Sequence, residues 1–445
     1  MSSRHVCSSQ ATALVLAAVL LGGCAPLPTP LDAMQPVVSP ADWARGGQPA
    51  APAATDVQPK LLWRAALAGL PDELWWNGDT MLAASLAPAA LPWQDRYLAA
   101  FDSSGNLHWS RDLGSLSLLD AGVDGAGNAY LAAGASPSGG SIMSLSPSGQ
   151  VRWTTPWQAG WPRSLRVAES GERTVVGFDG ASGAFPGRLE LLGPDGRPKL
   201  ADISGRLTAF AGFPSADGRT ILMGYEGAAT GLYRNQLFRG IGVNLIGDGG
   251  QVRWSIINYH YPLALSDAGD LAVVAGLPTA DRAYAPPPQD RDPVPPFGQL
   301  LWLDRGGQIV GRYRLPFAAG VRAFAMTPDG RASVLALTSH RFSAQAAPVT
   351  EQQLTWHDTA GRVVWKWTWE GDLVDLSLAR SGSSLLVAER TAGPGDWLTL
   401  LDSSGKVFWR YHHPTAVQAV ALSADGRFAA VLGADGLSYF ETHIK

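Results

Sequence analysis

The feature that most constrains this chain is a short motif that returns along nearly its whole length. An apolar strand end leads into a polar turn closing on glycine, and a tryptophan follows four residues later. The last copy runs from Leu401 through Asp402 and Gly405 to Trp409. Earlier copies pair Gly105 with Trp109, Gly149 with Trp153, Gly196 with Leu200, Gly250 with Trp254, Gly307 with Gly311 and Gly361 with Trp365. Five of these seven keep the tryptophan, a spacing that chance composition does not produce.

A second glycine turn alternates with the first, at Gly78, Gly127, Gly171, Gly218, Gly269, Gly330, Gly382 and Gly426. Glycine and Asx at such points supply the positive φ of tight hairpins. The runs between are rich in Val, Leu, Ala and aromatics, as suits strands buried on both faces. One period therefore holds four strands, A to D, with the second turn between A and B and the tryptophan turn between C and D. Successive copies lie about 44 to 61 residues apart, a propeller blade's length. Eight A–B turns stand against seven C–D turns, so one D strand is missing from the C-terminal end. Lys60 to Arg64 supplies it from the N-terminal side, with Trp63 standing where Trp409 stands. The expectation is an all-β fold over residues 56–445: an eight-bladed β-propeller of four-stranded antiparallel blades. An N-terminal strand joins the C-terminal blade and closes the ring, which removes an exposed edge. The repeated indoles are then packing between blades rather than ligand-binding groups.

The pattern from Leu401 and Asp402 through Gly405 and Lys406 to Trp409 resembles the tryptophan-docking repeats of PQQ-like (quinoprotein-type) propellers, which usually carry one more residue between the Asp and the Gly. Thr327 to Arg331 and Ser423 to Arg427 resemble the turn of TolB-type repeats, and Val123 to Leu131 resembles NHL-type repeats. Quinoprotein dehydrogenases generally use calcium ligands and often paired cysteines. The two cysteines here, Cys7 and Cys24, both lie near the N-terminus, so the body holds no disulfide framework and no cysteine-based metal site. No cofactor and no metal are expected.

Arg4 and His5 precede an apolar run from Ala11 to Leu21, too short to span a bilayer and suited to a signal-peptide core. The run ends in Leu21-Gly22-Gly23-Cys24, which resembles the lipobox of bacterial lipoproteins. That resemblance implies cleavage after residue 23 and lipidation of Cys24. Ala25 follows, where inner-membrane retention usually takes Asp, so the family rule implies the outer membrane with the body facing the periplasm. Residues 24–55, rich in Pro and Ala, read as a semi-extended tether. Lipobox, tether and eight PQQ-like blades together resemble the layout of the propeller lipoproteins of the outer-membrane β-barrel assembly machinery, which are non-catalytic scaffolds.

Charged residues make up 16% of the chain and the net charge is -4, which gives no basic footprint for nucleic acid. No G-x-S-x-G, H-E-x-x-H or phosphate loop is present, and Gly240-Ile241-Gly242 lacks the third glycine of a dinucleotide fingerprint. Length variation falls in the B–C connections, which share one face with the D–A links, and variable loops on a rigid ring carry function. The D–A links supply the candidate binding surface: Trp157, Trp161, Tyr259, His260, Tyr261, Trp369, Glu370, His412 and His413. Such residues also serve simply to cap strand ends and fill the throat of a ring. The expectation is a non-enzymatic, lipid-anchored cell-envelope scaffold or binding module with an envelope protein, glycan or peptide as partner. The rival reading is a periplasmic enzyme, or a glycan- or peptide-binding protein, with its site in the central funnel.

Overall fold

The computed structural model describes residues 58–67, 70–86, 95–136, 139–157, 160–178, 188–200, 208–226, 231–233, 236–238, 241–256, 260–276, 298–315, 319–343, 346–369, 371–390 and 393–442. They form eight four-stranded antiparallel sheets. Seven are contiguous in sequence and become blades 1 to 7. Blade 8 takes strands A, B and C from Val417–Leu422, Phe428–Gly433 and Gly436–Glu441, and its outer strand D from Lys60–Ala65. Strand A of each blade packs against strand A of the next around the full circle, so the A strands are innermost and the ring is closed. The chain is an eight-bladed β-propeller.

Burial follows that order. Strand B of blade 7, Ser384–Arg390, is buried through Glu389, whereas outer strands alternate or lie half open. Near-continuous apolar runs are what strands covered on both faces need.

The recurring turn and tryptophan prove to be two halves of one contact between blades. Trp63 of blade 8 lies over Gly105 of blade 1, Trp109 over Gly149, Trp153 over Gly196, Trp254 over Gly307 and Trp365 over Gly405. In each case a Cβ on the glycine would stand 2.5–2.8 Å from an indole carbon, so only glycine fits beneath the ring. Trp63 and Trp365 also donate through Nε1 to the carbonyls of Ser103 and Ser403 in those turns.

Blade 5 breaks the pattern and repairs it. Gly311 stands where the tryptophan is expected, and a Cβ there would lie 2.2 Å from the Ala360 carbonyl oxygen. The turn of blade 6 has closed onto bare backbone. The indole comes instead from Trp302, the cross-strand partner of Gly311 on strand C, which is fully buried over Gly361. His357 packs between Trp302 and Tyr313, and burial pushes its pKa down to about 4, so it is neutral in the core.

Two B–C connections are more ordered than their sequence suggests. The B–C hairpin of blade 6 runs long: Ala332–Ser343 pairs with Ala346–Asp358 as far as Ser343 opposite Ala346. The blade 4 connection contains a small hairpin, Gly231–Tyr233 with Gln236–Phe238.

Candidate functional site

The described A–B and C–D turns lie on one face of the ring, and the strand ends that lead into the B–C and D–A links lie on the other. The turn face is tied together. Backbone N–H groups of Gly125, Ser170, Ala216, Asp267 and Ser381 donate to carbonyls of Glu169, Ala216, Asp267, Pro328 and Ala424 in the next blade's turn, at 2.6–2.9 Å. Arg380, in the A–B turn of blade 7, then reaches across the axis. Its Nη1 lies 2.7 Å from Glu169 Oε2 in blade 3, directly opposite, and its Nη2 lies 2.9 Å from Asp267 Oδ2 in blade 5. Asn77 of blade 1 donates to the same Glu169 oxygen at 2.8 Å. Burial raises the Asp267 carboxyl pKa, opposed by the Arg380 guanidinium and reinforced by Glu169 and Asp329. This side chain ties blades 3, 5 and 7 together on the turn face.

Of the further carboxylates on the A strands, Asp120 and Asp375 clip neighbouring A strands together. Each A strand bulges once against its B strand, and the residue after the bulge is a carboxylate in three blades: Glu73 in blade 1, Asp120 in blade 2 and Asp375 in blade 7. Asp120 accepts the Leu165 N–H at 2.7 Å and faces Arg166 at 3.1 Å. Asp375 accepts the N–H groups of Val420 and Leu376, both at 2.8 Å, and burial pushes its pKa up to about 6. These groups join blades 2 to 3 and 7 to 8. They are structural.

On the long-loop face the most developed constellation sits on blade 7, at the end of strand B, the start of C and the end of D. Glu389 is fully buried; it accepts from Thr399 Oγ1 at 2.9 Å and from Arg410 Nη2 at 3.1 Å. Burial raises the Glu389 pKa while Arg410 holds it down. The same guanidinium lies 4.7 Å above the ring of Trp397, which is half-buried. Exposed His412, the cross-strand partner of Trp397, meets that indole edge-on, with centroids 4.9 Å apart and planes at 70°. Beside it, buried Asp396 accepts the Val417 N–H at 2.7 Å and faces Arg390 at 3.3 Å, fixing the link to blade 8. The indole thus contacts both a cation and an imidazole, and the cation is anchored by a buried carboxylate. Trp and Arg in such settings dominate protein–protein hot spots.

The residues singled out from sequence divide accordingly. Trp157 is 3% exposed; it packs edge-on to Phe178 and fills the notch above Gly134 and Gly140, so it belongs to the core and not to a surface. His413 is likewise buried, with Nδ1 3.0 Å from the Thr415 carbonyl oxygen; it caps the link to blade 8. Trp161, Tyr261 and Trp369 are half-buried, Trp369 stacked on Trp367. His412 joins the platform. Tyr259, Glu370 and the side chain of His260 lie outside the described residues. Strand pairing explains the split between adjacent histidines, because neighbours on a strand face opposite sides. Sequence reasoning missed Glu389, Trp397, Arg410 and Arg380; the first three lie inside regular strands, where polar residues carry no local signature. Among the described residues no group of three or more His, Cys, Asp or Glu is placed to hold a metal ion.

Fold and platform define the class: a closed eight-bladed propeller with one tied face and one face of variable links. No protein-family model matches the sequence, and no curated protein matches it. Among solved structures the chain is similar to the Dos1 propeller, at TM-score 0.56 and 10% identity over 86% of this chain and 96% of that one. It is similar to the C-terminal WD40 domain of Sif2, at TM-score 0.56 and 8% identity over 86% and 97%. It is also similar to BamB from Moraxella catarrhalis, at TM-score 0.50 and 14% identity over 87% and 99%. At these identities the likeness is one of fold.

Proposed function

We propose that this protein is a non-enzymatic scaffold, anchored in the cell envelope through a lipid on Cys24, that binds a protein partner through the long-loop face of its propeller. The observation that carries the reading is the blade 7 platform, in which Trp397 contacts both Arg410 and His412 on the face opposite the Arg380 bridge. A side-chain arrangement that is already rigid loses little entropy on binding. The lipobox-like Leu21 to Cys24 and the Pro/Ala-rich stretch after it support the address, in the outer membrane facing the periplasm.

A photoreactive amino acid at His412, introduced in cells of the source organism, tests the binding face. One discrete adduct with an envelope protein is expected, and Trp397→Ala is expected to abolish it; a diffuse smear that ignores Trp397→Ala refutes the reading. Mass spectrometry of the mature N-terminus tests the address separately. An acylated Cys24 at residue 1 of the mature chain is expected, and a free cysteine or an earlier cleavage point removes the lipid anchor from the proposal.

A further inference from the structure

Blade 6 carries a sheet edge that the ring leaves open. Its strands B and C, Ala332–Ser343 and Ala346–Asp358, hold 12 and 13 residues, against seven each for Ser384–Arg390 and Asp396–Asp402 in blade 7. Strand A begins at Gly320, opposite Thr338, and strand D stops at Trp369, opposite Gln352. Beyond that level the sheet has two strands. Ser339, His340 and Arg341 pair with Glu351, Thr350 and Val349, and Ser343 pairs with Ala346. Among the described residues no third strand pairs with either of them there. Residues 339–343 of strand B therefore rise about 17 Å past the ring on the long-loop side.

Two strands alone are marginal in water, and a third is what makes such a sheet stable. An open edge is also a row of unpaired backbone donors and acceptors, ready to template another strand. Natural sheets blunt such edges, with proline among the means, and strand C carries Pro348, which has no N–H to give. Strand B has no proline over residues 339–343. Its free edge lies on the axis side of the blade, in line with strand A.

We infer that residues 339–343 take up an extended segment of a protein partner as a third strand, antiparallel to strand B and in line with strand A. The inference rests on the proposed role of the long-loop face in holding a protein, and it adds the means: backbone hydrogen bonds, by which exposed sheet edges bind peptides. An extended strand is the occupant whose donors and acceptors repeat at the spacing this edge offers. A second copy of the chain fits less well. Two such edges paired antiparallel about their midpoint set Arg341 opposite Arg341, and like charges directly opposite destabilise a sheet.

Photoreactive residues placed at His340 and, separately, at His412 in cells of the source organism begin the test. Both are expected to trap the same protein, and mass spectrometry is expected to map the His340 adduct to one segment of it. That segment, made as a synthetic peptide, is expected to slow amide exchange within residues 339–343 of the purified full chain at least about tenfold, and to leave Ser384–Arg390 unchanged. Alternate N–H groups of a strand point to the same edge, so of two peptides N-methylated at alternate residues in opposite phase, one is expected to give no protection. A short-hairpin variant, with an Asn-Gly turn joining Ser339 to Glu351, keeps the ladders of the ring and is expected to lose the His412 adduct at least about tenfold. An unaltered thermal transition confirms its folding.

An adduct at His412 with none at His340, or one that persists undiminished in the short-hairpin variant, overturns the inference and leaves the protein-binding reading standing. Equal protection by both N-methylated peptides also overturns it, since side chains and not the backbone edge then hold the segment. So does protection of residues 339–343 that grows with protein concentration in the absence of peptide, because a second copy is then the occupant. No adduct at His412 in the parent chain removes the protein-binding reading, and this inference with it.

Discussion

Replacing Trp63 by alanine tests the ring closure, because this indole holds the one strand of the propeller that comes from the other end of the chain. Its ring stacks on Tyr439 with centroids 5.0 Å apart and planes at 13°, and faces Phe101 at 6.1 Å. Its Nε1 donates to the Ser103 carbonyl at 3.1 Å, and it covers Gly105. Fully buried aromatic-to-alanine changes cost about 3–5 kcal/mol; Trp63 is half-buried, so the expected loss is at the low end, about 3 kcal/mol. Besides the backbone ladder, the strand is held by part-exposed contacts of Arg64 with Ser438 and Asp435 and of Lys60 with Glu441, while Leu61 and Leu62 point to solvent. The loss therefore falls on local opening of Lys60–Ala65 from Gly436–Glu441, whose equilibrium constant rises about a hundredfold. For a ring of this size, with an unfolding entropy of roughly 0.8 kcal/mol/K, Tm falls by about 4 °C. Hydrogen exchange separates the two effects. Amides of Gly436–Glu441 should exchange about a hundredfold faster, while Leu271–Gly276 and Gln299–Asp304 in blade 5 keep their protection. Exchange of both regions rising together, or protection of Gly436–Glu441 within about twofold of the parent, refutes a closure held by Trp63.

Three further outcomes follow from the geometry. Gly361→Ala should destabilise by about 3 kcal/mol, because a Cβ would stand 2.5 Å from buried Trp302 at φ +69; Gly114→Ala, at φ +65 with nothing within 4 Å, should cost only about 1 kcal/mol, and equal losses in denaturant melts would refute the packing argument. Asp375 titrates at about 6 in the folded chain against 3.8 when unfolded, so its contribution is fully present below pH 3.8 and is lost as pH rises through 6. That loss amounts to about 3 kcal/mol; Asp375→Asn should flatten the pH dependence of stability across this window, and an unchanged slope in urea melts counts against it. Arg410→Met leaves fully buried Glu389 without its cation and should cost about 3 kcal/mol, most of it recovered in the double variant with Glu389→Gln; a double variant no better than the single breaks the pairing argument.

The candidate site was far less legible than the fold. His412 and His413 look equivalent in sequence, yet one meets Trp397 at the surface and the other is sealed under the blade 7 to 8 link. Trp157 reads as a link aromatic, but the two glycines of its own blade hollow out a place for it. Arg380 sits in a turn that looks like any other A–B turn, and its partners Glu169 and Asp267 lie far away in sequence. No local pattern marks such a group, because the ring alone brings blades 3, 5 and 7 to one axis.

What the sequence determined by itself is the repeat and its consequences. Alternating turns set four strands per unit, the count of turns set eight blades, and the absent eighth tryptophan turn located the closure at Trp63. Those features are local, fixed by positive φ at glycine and by strand-length apolar runs, so they can be read one period at a time. Tertiary structure decided everything that depends on angular position around the ring. It replaced the missing indole at Gly311 with Trp302 from the adjacent strand, and set Arg380 across the channel against Glu169 and Asp267. Each joins residues that are distant along the chain, and closure of the ring is the physical event that makes them neighbours.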